Sequence, residues 1–109
     1  MPTNYKVLGQ SNPSATTATT LYTVPAATQT VVSTITVCNQ AATAATYRIA
    51  IRVGGAALSN TQYIAYDVSL PANASDTLTL GLTLGAADVV TVYASTATMS
   101  FAAFGSELS

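Results

Sequence analysis

Between Thr46 and Val53 the side chains alternate without a break. Tyr47, Ile49, Ile51 and Val53 point one way, and Arg48, Ala50 and Arg52 point the other. A repeat of two marks a strand with one face on a core, and no helix reproduces it. Nearly every other segment takes the same reading. Leu21–Val24 is a short strand stopped by Pro25, and Thr30–Cys38 is rich in β-branched residues with Val31, Ile35 and Val37 on one face. Gln62–Leu70 places Ile64, Tyr66, Val68 and Leu70 together, and Thr77–Leu84 sets Leu78, Leu80, Leu82 and Leu84 against Thr77, Thr79, Gly81 and Thr83. Val89–Ala94 and Thr98–Phe104 read as a hairpin through Ser95-Thr96-Ala97. Asn4–Gly9 is a candidate for one further strand.

Turn signals separate these runs: Gly54-Gly55, the stretch from Pro71 to Asp76, and Gly85-Ala86-Ala87-Asp88. Short strands with turns every 8–12 residues predict an all-β, antiparallel β-sandwich of seven to eight strands, either a jelly roll or loosely immunoglobulin-like. The Cys-Trp-Cys pattern of antibody domains is absent, because the chain has one cysteine and no tryptophan. The expected core is Val31, Ile35, Val37, Tyr47, Ile49, Ile51, Leu78, Leu80, Leu82, Val90, Val92 and Phe101. At 109 residues the chain is long enough for one such domain. Residues 10–20 are small and polar, so residues 1–20 are expected to form an N-terminal arm and residues 21–109 the sandwich. Tyr5, Val7 and Leu8 would anchor the arm on another chain; the competing expectation is an edge strand inside the same sandwich.

Charge is scarce. Only 6% of residues are charged, against about a quarter in an ordinary soluble domain. The seven are Lys6, Arg48, Arg52, Asp67, Asp76, Asp88 and Glu107, while Thr and Ala number 19 and 20. Charge and long flexible side chains keep free proteins apart. Small side chains lose little rotamer freedom against a neighbour. The composition therefore suits a protein packed in an assembly, a homo-oligomer among them. With three cations and a net charge of −1, nucleic acid is not an expected partner, since a polyanion is bound by clustered Lys and Arg. No apolar run is long enough for a membrane helix, the aromatic girdles of a membrane barrel are missing, and the first residues lack the apolar stretch of a signal peptide.

Catalytic chemistry has little to work with. There is no histidine, the commonest general base and metal ligand. With a single cysteine, neither a zinc set nor an intrachain disulfide is expected, and no cofactor motif is present. Asp67 and Asp76 are carboxylates of the kind glycosidases pair, but a strand face and a turn cap account for them. Asp88 reads as a turn residue, and Cys38 as a small, partly buried hydrophobe. Asn73-Ala74-Ser75 matches a glycosylation acceptor, which has no meaning without secretion.

Arg48 and Arg52 share a strand face about 13 Å apart. Either they protect an edge and aid solubility, or they reach carboxylates on a neighbouring subunit. The six tyrosines form no evident row on one face, as a sugar-stacking platform would need, and are expected at the core and its margin.

Several segments, in order, carry a resemblance: Tyr5–Gln10, Leu21–Pro25, Arg48–Ile51, Tyr66-Asp67, Thr79–Leu84, Asp88–Tyr93 and Phe101–Glu107. Together they resemble small virion structural proteins of tailed bacteriophages, especially long-tailed phages of cyanobacteria and other marine bacteria. The likeness spans nearly the whole chain, and none of its segments has a catalytic meaning. It implies a non-enzymatic structural protein, made in the cytoplasm of a bacterial host and located in the virion. Its partners would be the major capsid protein or tail proteins. A capsid decoration protein on the outer head lattice is the first expectation. A tail, neck or baseplate component is the second, and a carbohydrate-binding or host-recognition module the third. The candidate interface residues are Tyr5, Val7, Leu8, Arg48 and Arg52; catalytic, cofactor and metal residues are expected to be none.

Overall fold

A computed structural model describes residues 3–109. Eight strands follow one another: β1 (Thr3–Ser11), β2 (Thr19–Thr23), β3 (Gln29–Asn39), β4 (Ala45–Arg52), β5 (Tyr63–Leu70), β6 (Ser75–Leu84), β7 (Val89–Ala94) and β8 (Met99–Leu108). Two short 3-10 turns, Val53–Gly55 and Asn60–Gln62, lie in the β4–β5 connection. The strands form two antiparallel sheets of four. Sheet A has the order β1-β8-β3-β6 and sheet B the order β2-β7-β4-β5.

Every connection except β4–β5 crosses from one sheet to the other. This order is the eight-stranded jelly roll, and it excludes the looser immunoglobulin-like alternative. It also corrects the expected hairpin of the last two strands. β7 lies in sheet B and β8 in sheet A, so Ser95-Thr96-Ala97 carries the chain across the sandwich. The crossing is fixed where the Ser95 N–H donates to the Thr46 carbonyl, while the Ser95 hydroxyl accepts from the Thr46 N–H.

The core is the inward row of each strand. Ile35, Val37, Tyr47, Ile49, Val90, Val92 and Phe101 are buried there as expected, joined by Leu21, Val32, Leu70, Leu84 and Met99. The Tyr47 and Phe101 rings meet edge to face with centroids 6.1 Å apart, the arrangement that ring quadrupoles favour. At one end of the sandwich the buried Asn39 side chain donates to the carbonyls of Thr43, Leu70 and Pro71, tying two loops together.

Val31 and Leu80, expected inward, are exposed because of bulges. Register shifts between Val32 and Thr34, in both pairings of β3. Val32 is therefore inward and Val31 is 41% exposed. The matching irregularity in β6, where Gly81 takes a positive φ, leaves Leu80 exposed. Leu78, Leu82 and Ile51 are only half-buried against the core. A side-chain period of two loses phase wherever one strand carries an extra residue.

Residues 3–11, expected as an arm, are the edge strand of sheet A and pair with β8 from Thr3 to Ser11. Leu8 supplies the reason, since it packs on the core. The Lys6 ammonium reaches Glu107 on β8 at 2.9 Å. At Gly9 the backbone of β1 runs so close to Leu21 of β2 that an added Cβ would strike the Leu21 carbonyl oxygen. Beyond the strand, the Asn12 amide donates to the carbonyls of Ala97 and Met99, and Pro13 is buried. The segment thus has enough apolar and polar partners within its own chain to be ordered there.

Candidate functional site

Sheet A and sheet B turn outward two faces of opposite character. On sheet A the outward row of β8 is Ser100, Ala102, Phe104, Ser106 and Leu108. It is flanked by Tyr5 and Val7 of β1 and by Val31, Thr34, Thr36 and Cys38 of β3, with Thr77, Thr79 and Thr83 of β6 beyond. None of the seven charged side chains lies on this face. Lys6 and Glu107 pair at its inner edge, Asp76 is opposite the inward Val37, and the rest belong to sheet B or to loops. Tyr5 is 84% exposed and Val7 50%. Of the expected anchor residues, Tyr5 and Val7 are therefore free on the surface, while Leu8 is not, because the irregularity between Val7 and Gly9 turns it inward. Cys38 is exposed on the same face, not partly buried as expected, because it follows the inward Val37.

Sheet B carries the outward charge, together with a cluster of rings. Tyr47 pairs with Val68 and Ile49 with Ala65, so Tyr66 and Asp67 together stand opposite the single residue Arg48. Asp67 makes this bulge by adopting a positive φ of 49°, a region that aspartate tolerates better than most residues. The bulge presents two side chains to one guanidinium. Arg48 donates to Asp67 through Nε at 2.6 Å and through its NH2 group at 3.2 Å. The guanidinium carbon lies 4.2 Å from the Tyr66 ring centroid and 4.4 Å from that of Tyr93, its β7 neighbour. Each is a cation–π contact. The paired Arg48 holds Asp67 below the usual carboxylate range, and the Asp67 carboxylate raises Arg48 further.

Next to this group, Tyr63 pairs with Ala50 and meets Tyr66 edge to face, centroids 4.9 Å apart. Three of the six tyrosines, Tyr63, Tyr66 and Tyr93, do cluster on one face, where the sequence showed no evident row. Two β5 irregularities bring Tyr63 and Tyr66 to the same side, and strand order brings Tyr93 to them across β4. Counting by twos along one strand detects neither.

Arg48 and Arg52 share the outer face, as expected, but both are satisfied within the chain. Arg52 donates to the carbonyls of Ala56 at 2.7 Å and Gly55 at 3.0 Å, holding the turn after β4. The aspartates are likewise committed. The Tyr47 hydroxyl donates to Asp76 at 2.8 Å. Asp88 accepts from the N–H groups of Gly54 and Gly85, at 2.8 and 2.9 Å.

A further polar group lies inside the sandwich, around Glu107. The Tyr22 hydroxyl donates to Glu107, which also receives Lys6, and lies 2.8 Å from the Thr30 hydroxyl. Burial, reinforced by the glutamate, pushes Tyr22 up to about 12; the hydroxyl and then Lys6 hold Glu107 below its usual range. No protein-family model and no curated protein matches the chain.

Proposed function

We propose that this chain is a non-enzymatic structural protein of a phage virion, a capsid decoration protein seated on the outer head lattice through the exposed face of sheet A. The observation that carries the reading is the absence of every charged side chain from that face, together with the exposed Tyr5, Val7 and Val31 on it. Surface charge is the usual guard against sticking. A face of threonine, serine and scattered apolar groups leaves little to desolvate on contact, and its short side chains lose little entropy when fixed. The resemblance to tailed-phage structural proteins gives the kind of assembly. The partners are the capsid protein and further copies of this chain, and many copies make weak contacts effective together. The internal commitments of Asp67 and Asp76 favour a structural role for these carboxylates. Immunogold labelling of phage particles assembled in cells that make the chain tests the reading. Gold over the head supports it, gold confined to the tail replaces the decoration role with a tail one, and unlabelled particles overturn it.

A further inference from the structure

We propose that Tyr63 and Tyr66, with Asn60 beside them, form a binding site for one neutral hexopyranose unit of a glycan. Asn60, Tyr63 and Tyr66 line a surface cavity of about 480 Å3, within the common range of about 300–1,000 Å3 for small-ligand sites. The two rings stand at 81° to one another and form the corner of that cavity. Tyr66 is 55% exposed, yet it is not loose. One face rests on Arg48, which Asp67 and Tyr93 hold in turn. A ring fixed before binding loses little freedom on binding.

The chemistry selects the ligand. The negative face of a tyrosine ring attracts C–H groups made slightly positive by neighbouring oxygens. A pyranose offers such a row on one side and hydroxyls around its rim. The Asn60 amide and the tyrosine hydroxyls offer donors and acceptors for those hydroxyls. Charge favours a neutral ligand. Arg48 stacks against two rings and is bonded to Asp67, so its charge is already paired before a phosphate or carboxylate arrives. Asp67 is neutralised by the same contact, so it does not call for a cationic ligand. The site lies on the sheet opposite the proposed assembly face and stands on the single chain, so it does not rest on the virion reading. If copies are arrayed, weak single sites add through multivalency.

The test is an NMR titration of the isolated, isotope-labelled protein with cellohexaose, maltohexaose and chitohexaose, and with decaproline as a peptide that also stacks on rings. The expected result is saturable movement of the resonances of residues 60–67 with at least one glycan. Tyr66→Ala weakens that binding at least about tenfold with an unchanged fold, Tyr66→Phe changes it less than about threefold, and Tyr5→Ala leaves it unaltered. Should Tyr66→Ala fail to fold, Tyr63→Ala serves with the same expected loss. The proposal is overturned if none of the glycans shifts these resonances up to about 10 mM, if decaproline alone does so, or if the folded alanine variant binds like the parent.

Discussion

Ile49 has no exposed surface and sits at the centre of sheet B, so truncating it leaves a cavity that the surrounding strands cannot fill. Ile49→Ala should cost about 2–5 kcal/mol, read as a lower midpoint in urea. Leu80→Ala, on the exposed bulge of β6, should stay within about 0.5 kcal/mol. The buried Glu107 sets the response to pH. Its folded value is depressed, so its contribution to stability is full above the ordinary glutamate value of 4.5 and is lost as the pH falls below it. Tyr22 works at the other end. Its raised value means that stability is full below 10 and lost between pH 10 and about 12. Melting temperatures measured across this range should fall at both ends. Glu107→Gln should flatten the contribution of this group to the acid limb, leaving that of Asp67, which is also held below its usual range.

At the scale of elements, β1 is the place where packing overrode composition. The polar stretch after Gln10 suggested an arm, but a short anchor suffices when a neighbouring strand offers a full ladder. Leu8, the Lys6–Glu107 pair and the Asn12 amide hold β1 to β8 and to the last crossing. A chain beginning at Ala18 should therefore melt at least about 8 °C lower than the whole protein; an unchanged melting temperature would return residues 3–11 to the role of an arm. Gly9→Ala should destabilise by about 1–3 kcal/mol or more in chemical unfolding, because the new methyl meets backbone and not a yielding side chain. The alternation around Tyr47 and Ile49 made the strands legible in the sequence, and the seven from β2 to β8 lie close to where it put them. Bulges were not legible. Val31, Leu80 and Tyr66 all lie at or beside a register shift, where an extra residue reverses the face of its successors along the strand. For the same reason the Arg48 cluster was hidden, since it needs Tyr66, Asp67 and Tyr93 from two neighbouring strands.

For the molecule as a whole, the jelly roll sorts the few charges to one side. Sheet B and the loops take up Arg48, Arg52, Asp67 and Asp88, the interior edge takes Lys6, Asp76 and Glu107, and the outer face of sheet A receives none. A charge placed there must be buried unpaired if this face is the contact, and an unpaired buried charge is among the costliest changes an interface can suffer. The outer position of Val31, 41% exposed in the middle of the face, lets a lysine be introduced without touching the core. The decisive measurement is cosedimentation of the purified protein with particles that lack it, comparing the natural sequence with Val31→Lys after confirming equal melting temperatures. Seating through sheet A predicts saturable binding of the natural protein and a loss of affinity of at least about tenfold for the variant. Binding of Val31→Lys as tight as that of the natural protein would contradict it.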